Sequence, residues 1–419
     1  MTNNDHAWNK IFEQLKVMEG LKKSPFCQIT AKQINEIGNR EARLMAKFDT
    51  KESLPQLFKD AELNINAVSN GNYIIFKDPS NQSFIKLPDY KIIVPKKINP
   101  VLDFELQTLL FNPKMSESNA IDYAHHSKIL SAYSGEKDLK LTTRGRFFSD
   151  AFKFNLGKVG NIDVKGVQIE VDAGYEGQEQ FLIIEAKSST RSTFNIRQLY
   201  YPFRHFQNKT KKQIRTILLS FSNGIYYFTE IELTPNYYDY KIISNLAYEV
   251  EIKEVSAKLL VKDLLSQKTF TPEDVTAPQA DDLNKVIDLI TFLSLTPADK
   301  FEIAEHFEFD ERQGDYYANA GRYIGLIDKQ GGLFKISEAG QELISIKNRD
   351  NRNAFLIKYI LRTQLFNDLV NLYFIQQNRI DDEQIVSRLA KDGLSGTTPE
   401  RRKSTVKSWI NWVVDNLKE

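Results

Sequence analysis

One segment, residues 167–189 (VQIEVDAGYEGQEQFLIIEAKSS), most constrains what this chain can fold into. Apolar and polar residues alternate over 167–172, which indicates a half-buried strand that ends at Asp172. The apolar run FLII at 181–184 is typical of a strand buried on both faces. The connection between the two runs is rich in glycine, as turns are. The segment therefore predicts a β-hairpin inside a sheet, with charged residues following its buried second strand.

Those charged residues suit metal chemistry. Glu185 and Lys187 share a face, because successive side chains of a strand point to opposite faces. If the two strands are adjacent, Asp172 meets Glu185 across the hairpin. Two carboxylates suit Mg²⁺, which prefers oxygen ligands and keeps several waters. The spacing alone also fits solvated charges at a strand edge, but charges that close a buried strand are costly unless they have partners.

The segments VDAGYE, IIEAK and FNIRQLYYPFR together resemble the core of PD-(D/E)xK type II restriction endonucleases. The chain departs from the family motif at Val171, which stands where the motif has proline. The resemblance implies that Asp172, Glu185 and Lys187 form the catalytic set. It also implies that Asp172 and Glu185 hold the metal, Mg²⁺, for which Mn²⁺ can substitute.

Two further residues are candidates for the same site. Glu170 shares a strand face with Asp172, and it fits a structural ion pair equally well. Gln198 lies on the predicted helix after the Glu-x-Lys strand, which packs beside the site in this superfamily, and it could orient the lysine or a phosphate. Lys187 itself could position or deprotonate a water, or stabilise developing negative charge.

The resemblance implies an activity and its partners. The expected enzyme is a type II site-specific deoxyribonuclease that hydrolyses double-stranded DNA at or near a specific sequence and leaves 5′-phosphates. Cutting both strands usually requires two active sites, so a homodimer is the default, with transient assembly on DNA as the other possibility. A separate cognate DNA methyltransferase would protect the host. Two alternatives stay open: a modification-dependent or repair nuclease, and a catalytically inactive DNA-binding regulator.

Composition restricts these functions further. The net charge of the 419-residue chain is only +1, so DNA binding must rely on local basic patches. Cys27 is the only cysteine, which excludes a disulfide framework and a cysteine zinc site. No apolar run approaches the roughly 18 residues of a membrane span, and the N-terminus lacks the apolar core of a signal peptide. We therefore expect a cytoplasmic protein with no membrane partner.

The fold expected is multidomain α/β plus α. A central PD-(D/E)xK mixed β-sheet flanked by helices lies between winged-helix-like, mostly helical domains at the two ends. The predicted regions are an N-terminal winged-helix-like DNA-contacting domain at 1–95, the nuclease domain at 96–255, a linker at 256–282, a winged helix-turn-helix domain at 283–346 and a helical DNA-contacting region at 347–419. Segments 26–66 and 312–327 also resemble regions found in restriction endonucleases of this group.

Several local elements and DNA contacts follow. Residues 48–63 predict a helix pair, residues 116–135 one helix, and residues 194–206 a helix interrupted by Pro202. Arginines and lysines on predicted helices and beside the motif are candidates for contact with phosphate or base edges. The predicted DNA-binding residues are Arg144, Arg146, Arg204, Arg312, Arg322, Arg401, Arg402, Lys403 and Lys407.

Overall fold

The computed structural model describes residues 3–252 and 260–417. The chain divides into two compact units. Unit 1 comprises Met1–Leu110, Ser116–Phe221 and Ile225–Glu249, and unit 2 comprises Phe111–Met115, Ser222–Gly224 and Val250–Glu419. The predicted boundary between the nuclease domain and the linker, at 255–256, lies outside the described residues.

A small α/β region opens unit 1. Its elements in chain order are α1 (Asn3–Gln14), α2 (Val17–Lys23), β1 (Phe26–Thr30), α3 (Ala31–Gly38), α4 (Ala42–Met45), α5 (Gln56–Asp60), β2 (Leu63–Ser69) and β3 (Asn72–Lys77). The three strands form an antiparallel sheet in the order β1-β3-β2. Trp8 and Phe58 pack edge to face, 4.9 Å between ring centroids, and Trp8 donates to the Met45 carbonyl. The helices and the small sheet thereby share one hydrophobic core, to which Ile29, Ile65 and Ile75 of the strands also contribute.

The rest of unit 1 is built on a seven-stranded mixed sheet. The remaining elements are β4 (Phe84–Lys86), β5 (Lys96–Ile98), α6 (Glu117–His126), α7 (Ile129–Ser134), β6 (Lys140–Phe148), β7 (Phe152–Asn155), β8 (Asn161–Val164), β9 (Gln168–Glu176), β10 (Gln180–Lys187), β11 (Thr193–Asn195), α8 (Arg197–Phe206), β12 (Gln213–Ser222), β13 (Ile225–Leu233) and β14 (Tyr240–Val250). The strand order is β5-β14-β13-β12-β10-β9-β6. β9 and β10 are antiparallel, whereas β10 and β12 are parallel and are connected through α8. The predicted mixed sheet flanked by helices is thus present.

The strand that carries the Glu-x-Lys motif lies inside this sheet. β10 is buried along nearly its whole length, as the apolar run FLII predicted. Its neighbour β9 continues well past Asp172, so Asp172 lies in the middle of a strand rather than at its end. The ladder between β6 and β9 shifts register next to this point, between Thr143 and Gly145. Such a bulge changes where the neighbouring side chains point.

Unit 2 is mostly helical. Its elements are α9 (Val261–Leu265), α10 (Leu283–Leu293), α11 (Lys300–Phe307), α12 (Glu311–Tyr323), β15 (Ile327–Gln330), β16 (Leu333–Ile336), α13 (Glu338–Ser345), α14 (Arg349–Leu361), α15 (Gln364–Ile375), α16 (Asp382–Lys391) and α17 (Thr398–Leu417). β15 and β16 form a hairpin, and Ala298 adds an antiparallel bridge to Phe334. None of the described helices of either unit is both long and apolar enough to span a membrane.

Three predictions about helices were also wrong in detail. The expected single helix at 116–135 is two helices, α6 and α7, because Lys128 between them adopts a left-handed conformation (φ 64°). The expected helix pair at 48–63 is reduced to the short α5, and the residues before it form a buried loop. Pro202 lies within α8 without ending it. Tertiary packing overrode helix propensity in the first two cases.

The buried ion pair of the central sheet generates a stability prediction. Arg215 donates to both carboxylate oxygens of Glu230 at 2.8 and 2.6 Å, and Tyr133 donates to the same carboxylate at 3.0 Å. We expect Glu230→Ala to lower the free energy of unfolding by about 3–5 kcal/mol, because it leaves a largely buried guanidinium without its anion. Urea denaturation followed by circular dichroism measures this change.

The control is an ion pair of similar length at the surface. Asp138 and Lys140 lie 2.8 Å apart with both side chains mostly exposed. Asp138→Ala should leave the free energy of unfolding nearly unchanged, because water and salt screen exposed pairs. Equal losses in the two variants would contradict the assignment of Arg215–Glu230 as a structural pair of the sheet.

Candidate functional site

Glu185 and Lys187 lie side by side at the end of β10. Lys187 Nζ donates to Glu185 Oε1 at 3.0 Å, as expected for residues two apart on one strand face. Both side chains are almost completely buried, 11% and 7% exposed. A strand that ends in two buried charges requires compensating partners, since isolated buried charge is costly.

Asp172 faces this pair from β9. The β9–β10 ladder runs as far as Ile184 opposite Ala173, and Asp172 and Glu185 come next on the two strands. There the Asp172 carboxylate accepts the backbone N–H of Ala186 at 2.8 Å through Oδ2. A side-chain hydrogen bond thus fixes the Asp172 carboxylate beside Glu185.

The carboxyl groups of the site are buried close to one another, which raises the pKa values of Glu185 and Asp172. Burial raises the pKa of Glu185 to about 8, the charges of Asp172 and Asp49 add to the rise, and Lys187 opposes it. Burial likewise raises the pKa of Asp172, although the Ala186 N–H and Lys187 favour its ionised form. A cation bound beside these carboxyl groups would lower their pKa values and favour their ionised forms.

Asp49, in the buried loop before α5, is a member of the site that the motif did not indicate. Its Oδ2 lies 3.7 Å from Lys187 Nζ and 3.1 Å from Lys47 Nζ. Burial works against ionisation of Asp49, but Lys187 and Lys47 outweigh it and hold its pKa below the ordinary value. Lys187 thus lies between two carboxylates, Glu185 and Asp49. The sequence signal was weak, because Asp49 is more than 120 positions from the motif and is brought there only by the fold.

Glu117 is the second member that sequence reasoning missed. It occupies the first turn of α6, whose N-cap is Ser116, and it accepts the Ser188 N–H at 2.9 Å. Burial raises its pKa, and the Asp172 carboxylate raises it further. The site therefore includes a fourth carboxyl group, after those of Asp172, Glu185 and Asp49, and no sequence pattern predicted its position.

Gln198 reaches the site from the first turn of α8. Its Nε2 donates to Glu185 Oε1 at 2.8 Å, so one oxygen of Glu185 accepts from both Gln198 and Lys187. Within residues 3–252 and 260–417, no group donates to the buried atoms Gln198 Oε1 and Asp49 Oδ1. Buried polar atoms without partners are uncommon and often mark sites that take a ligand.

The site offers oxygen ligands rather than a complete metal cage. No cluster of three or more His, Cys, Asp or Glu ligands is arranged for a metal ion in the described part of the chain. Asp172 and Glu185 nevertheless each have one carboxylate oxygen that accepts no hydrogen bond from the described residues. Two such oxygens fit Mg²⁺, which needs few protein ligands because it retains waters.

The other candidate residues of unit 1 lie elsewhere. Glu170 pairs with Arg146 at 3.2 Å at the surface, with both side chains about half exposed. Arg144 donates to both Asp122 oxygens and to the Asp172 carbonyl, so it supports the backbone beside the site. Arg204 donates to two backbone carbonyls and to the hydroxyl of Tyr200, and these bonds occupy it within unit 1.

The candidate DNA-binding residues of unit 2 fall into two groups. Lys403 and Lys407 both pair with Asp382, and Lys403 also pairs with Glu400. Four arginines have no carboxylate within 4 Å in the part of unit 2 that the structure describes. They are Arg312, Arg322, Arg401 and Arg402.

Three family models match successive parts of the chain. The domain of unknown function DUF6996 matches residues 5–75, DUF6997 matches residues 80–249 and DUF7226 matches residues 285–418. No curated protein and no solved structure matches the chain significantly. The site combines Asp49 of the first matched region with Asp172, Glu185 and Lys187 of the second, so both regions are needed to assemble it.

The raised pKa of Glu185 generates a prediction about stability without metal. Unfolded, Glu185 ionises near its ordinary value of about 4.3, whereas folded it retains its proton up to about pH 8. The folded state binds the extra proton between these values, so stability is greatest at the acid end and falls as pH rises through 8. Urea titrations in EDTA should show a shallower fall for Glu185→Gln, which cannot titrate.

Glu170→Gln is the matched control, because Glu170 lies at the surface beside Arg146. It should keep the wild-type pH dependence. Asp172 and Glu117, whose pKa values are also raised, leave a residual slope of the same sign in every variant. Parallel profiles for wild type and Glu185→Gln would rule out a buried, protonated Glu185.

Proposed function

We propose that this protein is a Mg²⁺-dependent endonuclease of double-stranded DNA, of the PD-(D/E)xK type II restriction kind. One observation carries the proposal. Asp172 and Glu185 face each other across adjacent strands, and Lys187 lies on the same face as Glu185. The motif residues thus meet in a buried charge cluster, whereas a solvated strand edge would leave them exposed.

The surrounding fold supports the proposal. The central sheet combines an antiparallel hairpin, β9–β10, with a parallel strand, β12, that follows α8. Helix α8 begins beside the site and brings Gln198 to Glu185. This arrangement is the one expected of the PD-(D/E)xK core, in which the helix after the Glu-x-Lys strand packs against the catalytic residues.

In this proposal, each residue of the cluster has a distinct task. Asp172 and Glu185 hold the metal ion, which when bound supplies charge neutralisation on the phosphate and activation of water. Glu117 adds a further carboxylate close to Asp172. Lys187 contributes a fixed positive charge where negative charge develops on the scissile phosphate. Asp49 and Gln198 are positioning residues, acting through Lys187 and Glu185.

The flanking regions fit DNA-binding roles. In the N-terminal region a strand precedes the helices α3–α5 and a β-hairpin follows them, with sheet order β1-β3-β2. In unit 2, helices α10, α11 and α12 are followed by the β15–β16 hairpin, and Ala298 supplies the third strand position. Both orders match the winged-helix plan, a common carrier of a DNA-recognition helix.

The proposed partners follow from the reaction. Cleavage of both strands requires two sites, so we propose a homodimer on its double-stranded DNA substrate. Cleavage is expected to leave 5′-phosphates, and a separate DNA methyltransferase would protect the cell's own sites. Digesting methylated and unmethylated DNA in parallel separates this function from that of a modification-dependent nuclease.

Removing the cluster should abolish cleavage without abolishing DNA binding. We expect no cutting by Asp172→Ala or Glu185→Ala, because each removes a proposed metal ligand. Lys187→Ala should lower the rate by about 10²–10³-fold, because it removes the positive charge that stabilises the developing negative charge. The measurement is digestion of a large unmethylated DNA with Mg²⁺, followed by sequencing of the fragment ends.

Glu170→Ala provides the matched control, since it removes a nearby carboxylate that the structure places at the surface. It should cut like the wild type. Full cleavage by a folded Glu185→Ala protein would refute the proposed site. Tight binding without cutting by the wild type in Mg²⁺ or Mn²⁺ would instead indicate an inactive DNA-binding regulator.

Metal binding should release a proton. Because the pKa of Glu185 is about 8, this carboxyl carries a proton near neutral pH and must lose it to bind Mg²⁺. Affinity for Mg²⁺ should therefore rise with pH and level off above about 8. Calorimetric titration with Mg²⁺ in buffers of different ionisation enthalpy measures both the affinity for Mg²⁺ and the number of protons released. Glu185→Gln should bind more weakly with less pH dependence, and equal behaviour of variant and wild type would exclude Glu185 as a ligand.

A further inference from the structure

Unit 2 contains a cleft that the proposed nuclease site does not explain. Its volume is about 360 Å³. Helix α12 supplies Tyr316, Asn319 and Arg322, the β15–β16 hairpin supplies Lys329, and the first turns of α17 supply Arg402. Residues 274–279, before α10, form the remaining wall. Four separate segments thus converge on one concave surface.

The cations of this cleft lack anionic partners. Arg322 donates to Asn319 Oδ1, Arg402 donates to Gln279 Oε1, and the Lys329 ammonium lies over the ring of Phe334. Among residues 3–252 and 260–417, no carboxylate lies within 4 Å of any of the three. Two carboxylates, Asp274 and Asp315, also line the cleft, but neither pairs with a cation there.

Arg402 is the most constrained of these cations. Its Nε is buried and has no hydrogen-bond partner among the described residues. Burial lowers the pKa of its guanidinium, and Arg401 on the same turn lowers it further. A partly buried arginine with an unused donor is costly in the free protein. A bound anion would supply both the missing acceptor and the missing charge.

We propose that this cleft binds a phosphate group of a nucleotide, with Arg402, Arg322 and Lys329 contacting the phosphate and Tyr316 packing against the attached sugar or base. Arginine matches phosphate geometry through paired N–H donors. The aromatic ring of Tyr316 and the apolar residues Val275 and Pro278 provide a surface for a nucleoside. The phosphate can come from a DNA strand, which rests on the proposed function, or from a free nucleotide.

The neighbouring lysines of α17 give a contrast. Lys403 follows Arg402 directly, but its charge is neutralised by Asp382 and Glu400. Lys407 also pairs with Asp382. Unlike these two lysines, Arg322, Lys329 and Arg402 can therefore bind an anion in the cleft without breaking an ion pair.

The test measures DNA affinity of the full chain against salt concentration, in EDTA so that no cleavage occurs. The probe is a duplex of random sequence. Removing one side chain that binds a phosphate lowers the slope of log K against log salt by about one unit. We expect this decrease for Arg402→Gln and for Arg322→Gln. The control is Lys391→Gln, at the exposed end of α16 and outside the cleft, which should keep the wild-type slope.

Stability gives a second readout. Arg402→Gln removes a poorly compensated charge, so its melting temperature should equal or exceed that of the wild type. A loss of DNA affinity at undiminished stability separates a binding role from a structural one. If Arg402→Gln melts at a lower temperature than the wild type, the salt slopes of Arg322→Gln and Lys329→Gln decide whether the cleft binds phosphate.

A parallel titration with deoxyadenosine monophosphate and with inorganic phosphate identifies the source of the phosphate. Calorimetric binding of either that disappears in Arg402→Gln, with an unchanged DNA slope, indicates a free nucleotide or phosphate ligand. An unchanged slope together with no binding of either small anion overturns the proposal. These measurements need no catalysis. If the wild-type protein never cuts DNA but Arg402→Gln still lowers the salt slope, the nuclease function is refuted and the phosphate site in the cleft is supported.

Discussion

The candidate site of unit 1 depends on one buried arrangement, the Lys187 ammonium held between the carboxylates of Glu185 and Asp49. Asp49 could not be buried as an anion without a cation beside it, and Lys187 could not be buried as a cation without an anion. The pairs also set the protonation of the cluster, since Lys187 lowers the pKa of Asp49 while burial raises that of Glu185. The opposite charges of Lys187 and Asp49 compensate each other, while Asp172 and Glu185 each keep one carboxylate oxygen free of hydrogen bonds from the described residues.

The same arrangement joins parts of the chain that the family models treat separately. Asp49 comes from the region matched by DUF6996, and Glu185 and Lys187 come from the region matched by DUF6997. Further bonds reinforce this junction, since the Asn195 side chain donates to the Phe48 carbonyl and the Asn195 N–H donates to the Asp49 carbonyl. The loop that carries Asp49 is therefore fixed to the segment between the motif strand and α8. This explains why the loop is buried although no helix forms there.

In unit 2 the distribution of charge distinguishes cations that are paired with carboxylates from cations that are available to a ligand. Lys403 and Lys407 satisfy Asp382, whereas Arg322, Lys329 and Arg402 surround a cleft without ion pairs of their own. A sequence pattern of clustered Arg and Lys does not separate these two roles. The separation depends on where Asp382 lies after α16 packs on α17.

Local sequence patterns predicted most of the structure around the motif, although they ended β9 at Asp172 and the strand continues to Glu176. The apolar run at 181–184 identified β10, alternation identified β9, and a period of two placed Glu185 and Lys187 on one face. The order of three helices and a hairpin in residues 283–346 was also readable from the pattern of apolar residues and turns. These features are local, because they depend on periodicity and turn residues within one or two elements.

The choice of distant residues that complete the site depended instead on how the chain packs. Asp49 and Glu117 lie far from the motif in sequence, and neither stands in a recognisable pattern with it. Burial also determined which charges are unusual, because a pKa depends on surrounding charges and lost water rather than on residue type. Glu170 shows the same limit, since alternation gave it the same strand face as Asp172, yet the fold leaves it at the surface with Arg146. Periodicity therefore fixed which side chains share a strand face, and long-range packing fixed which of them share a site.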